Sequence, residues 1–502
     1  MTEQLIIALD QGTTSSRAVL FNHEAEIVDV SQQEFSQYFP KPGWVEHDAN
    51  EIWDSQFLVL QKLAANNQLK PEDIAAIGIT NQRETTIVWN KNTGKPVHNA
   101  IVWQDRRTAA KCDAIAAAGW KEKIQQKTGL VIDAYFSASK IQWILDNVDG
   151  ARAQAEAGDL LFGTVDSWII WNLTEGAVHA TDSSNAARTM LLNINTGTWD
   201  QELLELFTVP KSMLPEVRDS SGDFGHVSFQ GQEVPIAGVA GDQQAALFGQ
   251  TCFKKGMAKN TYGTGCFMLM NTGSQRIDSQ SGLLSTIAWS LNGEITYALE
   301  GSVFIAGAAV QWLRDELEFI KSAGDSEGLA LEANPESDVV VVPAFAGLGA
   351  PHWDMYARGA IFGLTRDSGR AEIAKATLQS LAYQVFDLLS AMEVDSNISL
   401  SQLNVDGGAI ANNFLAQFQA DVLQKPVTRP TVLESTALGA AYLAGLKVGY
   451  WQMSDLTKVR DVEREFVPRL SPNEITTLLK QWHKAVDRSK HWIDREEADI
   501  NE

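Results

Sequence analysis

The residue types that could bind a phosphate group occur first in a polar turn between two apolar runs. Residues 5–9 are apolar and end at Asp10, and a second apolar run covers residues 18–21. The turn between them is rich in Gly, Ser and Thr, which predicts a β-hairpin. Backbone N–H and hydroxyl groups of such a turn can surround phosphate oxygens, and Arg17 adds a guanidinium that matches phosphate geometry. The candidate phosphate ligands are Thr13, Thr14, Ser15 and Arg17.

Asp10, at the end of the first apolar run, is a candidate for holding Mg²⁺ directly or through water. Hard cations that accompany phosphates prefer such oxygen ligands. The alternative is an ordinary hairpin whose Gly, Ser and Thr residues serve only the turn.

A second group of residues has the chemistry to bind hydroxyl groups. Arg83 and Glu84 follow a predicted buried strand at residues 74–79, and one can donate while the other accepts. Tyr135 could add a phenolic hydrogen bond, and Trp103 and Phe267 could contact the carbon face of a small substrate. The alternatives are a surface ion pair of little energetic value and aromatic side chains that only pack.

Asp242 is the candidate for proton transfer. It follows Ala240 and Gly241 at a predicted strand-to-helix turn, with Gln243 next. Phosphoryl transfer needs mainly positioning, charge neutralisation and one residue that orients the attacking oxygen. A carboxylate at this turn could accept the proton of a substrate hydroxyl. The alternative is a helix N-cap, a common role for aspartate.

An internal repeat indicates how these residues are positioned. Residues 259–270 repeat the order of strand, Gly-Thr turn and apolar strand, which predicts a duplicated domain with one phosphate hairpin per copy. We expect domains at 1–248 and 249–502. A capping box at Asp48 and Glu51 predicts a helix start, further helices are predicted over 301–317 and 372–392, and helical patterning continues near 478–493.

Composition limits the possible partners. The chain has 502 residues, a net charge of −23 and three cysteines without metal or redox spacing. The excess of acidic residues argues against a nucleic-acid partner. It does not exclude a phosphorylated substrate, because a single arginine can make the electrostatic potential positive within one pocket. The few cysteines and the absence of a long apolar segment lead us to expect a cytoplasmic protein without membrane insertion.

Three Gly-rich turns, at residues 10–14, 263–265 and 406–409, match neither a Walker A loop nor a complete dinucleotide-binding fingerprint. Taken in order, they resemble the two phosphate loops and the adenosine loop of the actin, hexokinase and Hsp70 class of ATPases. The chain more specifically resembles the glycerol-phosphorylating members of the FGGY carbohydrate kinases. The segments that carry this resemblance are residues 9–17, 80–85, 103–107, 240–244 and 260–265.

The resemblance implies an α/β fold of two duplicated actin-like (ribonuclease H-like) ATPase domains, with ATP in the cleft between them. It implies phosphorylation of glycerol to sn-glycerol 3-phosphate, with Asp242 as the base, Mg²⁺ at Asp10 and Asp242, and a homo-oligomer (dimer or tetramer). It also implies two sets of ligands. The expected glycerol-binding residues are Arg83, Glu84, Trp103, Tyr135, Asp242, Gln243 and Phe267, and the expected nucleotide-binding residues are Thr13, Thr14, Ser15, Arg17, Thr264, Gly307, Gln311, Gly408 and Asn412.

Two departures from the family concern regulation. Residues 223–232 lack the Arg and Lys of the loop that binds fructose 1,6-bisphosphate in some members. Ser228 takes the place of the histidine that a sugar-transport phosphocarrier phosphorylates in others, and His226 is a different position. We therefore expect control by neither route.

Two other functions remain open from the sequence. The first is an FGGY-type kinase for another small polyol or ketose, and the second is a non-catalytic actin-like ATP-binding protein. The stretch from Asn81 to Glu84 argues against the first, and the presence of Asp242 beside Arg83 and Glu84 argues against the second.

Overall fold

Two twisted sheets dominate the fold. The structure, a computed structural model, describes residues 4–229, 231–432, 434–459 and 461–493. The first sheet begins with the predicted hairpin, called here the first hairpin, whose strands Leu5–Gln11 and Ser15–Phe21 are antiparallel. Its six strands lie in the spatial order His226–Phe229, Gln232–Gly241, Ile74–Asn81, Leu5–Gln11, Ser15–Phe21 and Ile27–Glu34.

The second sheet repeats the arrangement of the first, which confirms the predicted duplication. Its hairpin, called the second hairpin, consists of Met257–Tyr262 and Cys266–Gly273. In both sheets the first strand of the hairpin pairs in parallel with a strand from later in the chain, Ile74–Asn81 or Gln402–Asp406. The seven strands lie in the order Leu284–Leu291, Glu294–Val303, Cys266–Gly273, Met257–Tyr262, Gln402–Asp406, Val427–Pro430 and Val462–Phe466.

Helices cover and connect the sheets. Within the described residues, none is long and apolar enough to cross a membrane. The α-helices are Ala49–Asn66, Ala109–Ile115, Lys121–Thr128, Ser137–Asn147, Ala151–Glu156, Val165–Leu173, Ser183–Ala186, Gln201–Leu206, Asp242–Gly249, Gly307–Asp315, Asp325–Leu331, Arg370–Ser396, Asn413–Leu423, Ser435–Val448, Met453–Val459 and Pro472–Ser489. Short 3₁₀ turns cover Pro71–Asp73, Lys211–Met213 and Gly408–Ala411, and a π turn covers Ala116–Trp120. Smaller sheets contain the strands Glu46–His47, Ile87–Asn90, Lys95–Pro96, Ala100–Ile101, Leu160–Gly163, Ala180–Asp182, Leu192–Asn193, Thr198–Trp199, Glu216–Arg218, Val340–Val342 and Ala360–Phe362.

Two local predictions were wrong. The helix expected over 301–317 begins only at Gly307, because Gly301 lies in a strand, opposite Met268. A Cβ at Gly301 would lie 2.4 Å from Leu388, so this glycine serves sheet-to-helix packing. Asp48 caps its helix as predicted. Glu51 does not complete a capping box but accepts hydrogen bonds from Ser36 N and Tyr38 Oη.

The two halves of the chain are joined by closely packed helices. Ser435–Val448 follows strands of the second sheet in sequence, but it packs on the first sheet and on Asp242–Gly249. The approach is so close that a Cβ at Gly439 would lie 1.8 Å from the carbonyl oxygen of Ala245. The helix that begins with the candidate base is therefore held by the second half of the chain.

We expect Gly439→Ala to lower the free energy of unfolding by about 3 kcal/mol, because overpacking a tight contact forces backbone shifts. Urea unfolding followed by tryptophan fluorescence would measure the change. Gly328→Ala is the matched control, since Gly328 lies in a helix with no atom within 4 Å of the added Cβ. The Gly328→Ala substitution is expected to raise the free energy of unfolding by about 0.8 kcal/mol, because alanine has a higher helix propensity than glycine. Equal destabilisation by Gly439→Ala and Gly328→Ala would contradict the packing argument.

Candidate active site

The turn of the first hairpin brings its predicted phosphate ligands together. Gly12 N donates to Ser15 O at 2.9 Å, which closes the turn. Thr13 Oγ1 accepts a hydrogen bond from Trp103 Nε1 at 3.1 Å, while the side chain of Thr14 is exposed. The Thr13 hydroxyl of this turn therefore lies beside Trp103, one of the predicted substrate contacts.

Arg17 bridges the hairpin to the second half of the chain. Its guanidinium contacts Asp10 at 2.5 Å and Glu434 at 2.6 Å. Burial raises the pKa of the Asp10 carboxyl, Arg17 opposes this, and the negative charges of Glu434 and Asp242 raise that pKa further. Asp10 and Glu434 share the single Arg17 guanidinium, and this local excess of negative charge favours an additional cation.

The second hairpin turn meets the start of a helix. Ala306 N and Gly307 N donate to Thr264 O and Gly263 O at 2.8 and 2.9 Å. A Cβ at Gly307 would lie 2.5 Å from the Gly263 oxygen, so the close approach requires glycine. The structure therefore brings Thr264 and Gly307 together. Gln311, one turn further along the helix, is exposed, and its side chain bonds none of the described residues.

The third Gly-rich turn reaches the same strand end. Gly407 has φ +93°, and a Cβ there would lie 2.5 Å from the Tyr262 oxygen. Gly408 has open space around it. The Asn412 side chain caps the helix Asn413–Leu423 and also donates to Ser326 Oγ at 3.1 Å. The turn that contains Gly407 and Gly408 therefore approaches the second hairpin at Tyr262, whereas the Asn412 side chain is engaged in structural hydrogen bonds.

Arg83 lies at the centre of a buried charge cluster. It binds Glu300 through two hydrogen bonds of 2.6 and 3.1 Å, and its Nε lies 3.2 Å from Asp242 Oδ1. Tyr135 Oη lies 3.4 Å from Arg83 Nη2. Burial raises the pKa of Glu300, but Arg188 and Arg83 outweigh it and lower that pKa to about 2. Glu300 is therefore a permanent anion between two arginines.

Glu84 is held mainly by a residue other than its neighbour. Arg188 Nε donates to Glu84 Oε1 at 2.6 Å, whereas Arg83 Nε lies 3.7 Å from the same oxygen. Burial raises the pKa of Glu84, and the two arginines partly oppose this. Glu84 also has a φ of +61°, an uncommon conformation for a residue with a side chain. No described residue donates to Glu84 Oε2, so this oxygen is free to accept a hydrogen bond from a ligand.

Asp242 is the exposed member of the cluster. Its side chain is 33% exposed, against 2% for Arg83 and 1% for Glu84. The N-cap of the helix is Gly241 and makes no side-chain capping bond, which argues against the capping role for Asp242. Gln243 N donates to Asp242 Oδ1 at 2.7 Å, and Gln243 Nε2 donates to Oδ2 at 3.3 Å. The carboxylate is therefore oriented by neighbours while it faces open space.

Aromatic residues border this open space. The rings of Trp103 and Tyr135 meet edge to face at 5.7 Å. Burial raises the pKa of the Tyr135 phenol, so it is a neutral donor at physiological pH. Phe267 is half-buried on the second hairpin, opposite Ser302 and thus on the same sheet face as Glu300. The structure brings Trp103 to Tyr135, and Phe267 approaches from the other sheet.

Comparison with known proteins identifies the family of the chain. Models of the N-terminal and C-terminal domains of the FGGY carbohydrate kinases match residues 5–249 and 258–448. The chain belongs to the FGGY family of carbohydrate kinases. The predicted α/β fold of two domains is thereby confirmed.

Similar FGGY kinases include proteins named glycerol kinase. The chain is 59% identical to one from Alkaliphilus oremlandii over 99% of this chain and 100% of that protein, and 60% identical to one from Caldanaerobacter subterraneus over 97% and 99%. The crystal structure of Plasmodium falciparum glycerol kinase with ADP aligns with a TM-score of 0.93 at 35% identity, covering 97% of this chain and 98% of that one. A xylulose kinase from Lactobacillus acidophilus shares the fold, with a TM-score of 0.86 at 23% identity over 96% and 97%.

Sequence reasoning missed several charged residues of this FGGY kinase site. Each of these residues stands alone in the sequence, without other charged or polar residues at the spacing of a known motif. The available signal for Lys259 and Glu300 is a charged residue in the interior of a strand. The missed residues are Lys140, Arg188, Lys259, Glu300 and Glu434.

Lys140 is a titratable residue that holds the backbone beneath the candidate site of this FGGY kinase. Its Nζ donates to the backbone oxygens of Glu84 and Tyr135 at 3.1 and 2.8 Å. Burial lowers the pKa of Lys140 from 10.5 to about 7. The folded protein therefore binds fewer protons at this site than the unfolded chain between these pH values, so folding becomes more favourable as the pH rises.

We expect the difference in unfolding free energy between the unmodified protein and Lys140→Met to grow by about 2 kcal/mol from pH 7 to pH 9. Urea unfolding at each pH would measure it, because all other titrations cancel in the difference. A constant difference across this range would contradict a depressed pKa for Lys140.

Proposed function

We propose that this chain transfers the γ-phosphoryl group of ATP to a terminal hydroxyl of glycerol, forming sn-glycerol 3-phosphate and ADP. The observation that carries the proposal is the exposed carboxylate of Asp242, held by Arg83 and Gln243 beside Glu84 and Tyr135. The near full-length relatives named glycerol kinase support the same substrate.

Glycerol is proposed to bind among these polar groups. Arg83 and Gln243 can donate to its hydroxyls, and Glu84 Oε2 can accept from one. Tyr135 adds a neutral phenol, since burial keeps its pKa high. Trp103 and Phe267 are proposed to contact the carbon atoms. A site with fixed donors and acceptors discriminates strongly against ligands that lack a matching hydroxyl.

Asp242 is proposed to act as the general base. As the terminal oxygen of glycerol bonds to the γ-phosphorus, its proton passes to a carboxylate oxygen of Asp242, and the bond from the γ-phosphorus to the leaving ADP oxygen breaks. Asp242 Oδ1 already accepts from Gln243 N and lies 3.2 Å from Arg83 Nε in an ion pair, so Oδ2 is the more available oxygen. Arg83 pairs its charge with that of the carboxylate.

The nucleotide is proposed to lie between the two hairpins. Thr13, Thr14, Ser15 and Arg17 would hold its phosphates from one side and Thr264 from the other, and the expected contacts of the rest of the nucleotide are Gly307, Gln311, Gly408 and Asn412. Arg17 is already poised at the turn by Asp10 and Glu434.

Asp10 and Asp242 fit a magnesium ion that ATP carries. Burial is the main cause of the raised pKa of Asp10, and the negative charge of Asp242 adds to it, so the two carboxylates lie within electrostatic reach of each other. Among the described residues there is no cluster of three or more His, Cys, Asp and Glu side chains suited to a metal. Mg²⁺ does not need one, because it binds through one or two carboxylates together with phosphate oxygens. When bound, the ion would neutralise charge on the transferring phosphoryl group.

The deciding experiment is a coupled assay of ADP release with ATP, Mg²⁺ and a panel of glycerol, other small polyols and ketoses. Glycerol is expected to have the highest kcat/KM. A higher value for another polyol or ketose would assign that substrate instead, and ATP binding without turnover on any of them would indicate a non-catalytic protein.

We also propose a domain boundary, an oligomeric state and a cellular location for this chain. The domain boundary is placed at residue 248, since the strands of the first sheet end at Gly241 and those of the second begin at Met257. A homo-oligomer, dimer or tetramer, is supported by exposed apolar side chains on the edge strand Ile27–Glu34 and on the helix beside it. Because the proposed second substrate is ATP, we place the reaction in the cytoplasm.

Regulation by fructose 1,6-bisphosphate is not expected. The hairpin formed by His226–Phe229 and Gln232–Gly241 carries no Arg or Lys at its turn. Inhibition at micromolar concentrations of this sugar phosphate would contradict the proposal. We propose further that no phosphocarrier modifies Ser228 or His226.

A further inference from the structure

Two buried charged side chains, Lys259 and Glu300, lie in one row of side chains that runs across neighbouring strands of the second sheet. Lys259 lies opposite Leu269, and Leu269 lies opposite Glu300, so the three side chains project from the same face. Lys259 is 0% and Glu300 is 4% exposed. Leu269 separates them, and this face meets the first half of the chain at Gln243 and Arg83. Each end of the row therefore touches a neighbour of Asp242.

The lysine end of the row controls the orientation of an amide. Lys259 Nζ donates to Gln243 Oε1 and to Thr261 Oγ1. An amide whose oxygen accepts from an ammonium group must turn its NH₂ group elsewhere. In this structure the NH₂ group of Gln243 donates to Asp242 Oδ2 at 3.3 Å. Lys259 thus selects the rotamer of Gln243 that supports the carboxylate.

The glutamate end of the row controls the orientation of a guanidinium. Both oxygens of Glu300 bind Arg83, at 2.6 and 3.1 Å, and Arg188 adds a third hydrogen bond at 2.9 Å. A bidentate pair fixes the plane of the guanidinium. Both terminal nitrogens of Arg83 are engaged in the cluster, and its Nε lies 3.2 Å from Asp242 Oδ1, with which it forms an ion pair.

We propose that Lys259 and Glu300 are positioning residues through which the second sheet orients Asp242. Lys259 acts through Gln243 on one carboxylate oxygen, and Glu300 acts through Arg83 on the other. This inference rests on the proposed function of Asp242 as the proton acceptor. It makes the orientation of the base depend on how the two sheets meet.

The test uses Lys259→Met and Glu300→Gln in the full chain, with kcat, KM for glycerol and calorimetric glycerol binding as readouts. Misplacing a catalytic group by about 1 Å lowers rates by roughly 10- to 100-fold. We expect a loss of this size in kcat for Lys259→Met together with a rise in KM of roughly 10-fold, because Gln243, which Lys259 orients, is itself proposed to bind glycerol. Glu300→Gln is expected to raise KM by roughly 10-fold as well, because Arg83 itself contacts glycerol.

A second comparison separates positioning from a structural role. Groups that act as a unit are strongly non-additive, so Lys259→Met is expected to have no further effect on kcat when Asp242 is already Asn. If the kcat losses of Lys259→Met and Asp242→Asn instead multiplied in the double variant, the inference would be overturned. The matched control is Ser290→Ala, which removes a buried hydrogen bond to Ser183 in the other half of the chain. It is expected to leave kcat and KM unchanged.

Two outcomes distinguish the inference from the proposed function. Absence of glycerol phosphorylation by the unmodified protein would defeat the proposed function itself. Full kcat in Lys259→Met, with the expected loss in Asp242→Asn, would defeat only the positioning inference.

If either neutral variant does not fold, Lys259→Arg or Glu300→Asp replaces it. These keep the charge but move the donor or acceptor, so a roughly 10-fold loss of kcat is still expected, and full activity would overturn the inference.

Discussion

Replacing Asp242 with asparagine is expected to lower kcat by roughly 10³-fold while ATP binding is retained. Asparagine keeps the shape of the side chain, but it neither accepts the hydroxyl proton nor carries the charge that Arg83 balances. ATP binding is expected to be retained, because the hairpin turns at Thr13 and Thr264 and the other proposed magnesium ligand, Asp10, are not altered. Coupled ADP release would give kcat, and calorimetric titration with a non-hydrolysable ATP analogue would give the affinity.

Asp48→Asn is the matched control for this substitution. Asp48 also lies at the start of a helix, and its side chain accepts from Asn50 N at 2.8 Å. Asparagine is an equally good N-cap, so neither activity nor stability is expected to change. Near-normal turnover in Asp242→Asn would contradict the mechanism, since no other described carboxylate in the cluster is comparably exposed.

Replacing Arg83 with methionine is expected to lower kcat/KM for glycerol by roughly 10³-fold and the free energy of unfolding by about 3 kcal/mol. The side chain is 2% exposed and contacts Glu300, Asp242 and Tyr135. Its removal leaves Glu300 with Arg188 alone and deprives glycerol of its donor. Steady-state kinetics and urea unfolding would measure the two effects separately.

Arg107→Met separates the loss of a buried charge from the loss of a ligand. Arg107 is also fully buried and pairs with Glu46 at 2.7 Å and Asp105 at 2.9 Å. We expect a similar loss of stability from this variant but an unchanged KM for glycerol. If Arg83→Met lost stability while its KM for glycerol stayed normal, Arg83 would have only a structural role.

The local elements of this protein could be predicted from the sequence because their causes are local. Apolar runs on either side of Gly-, Ser- and Thr-rich turns predict both hairpins, and their similarity predicts the duplication. The same logic failed at Gly301, where small residues resembled a helix face. There the tertiary packing against Leu388, which no sequence period reveals, keeps the segment in a strand.

The sequence by itself determined which residue types are available for chemistry: Asp10 and Arg17 at one turn, Arg83 and Glu84 at another, and Asp242 at a third. Only the tertiary structure decided their partners. Arg83 pairs with Glu300 across 217 residues, and Arg17 pairs with Glu434 across 417. The physical reason is that an ion pair depends on distance in space. Here that distance is set by the way two separately formed sheets and the helices between them pack together.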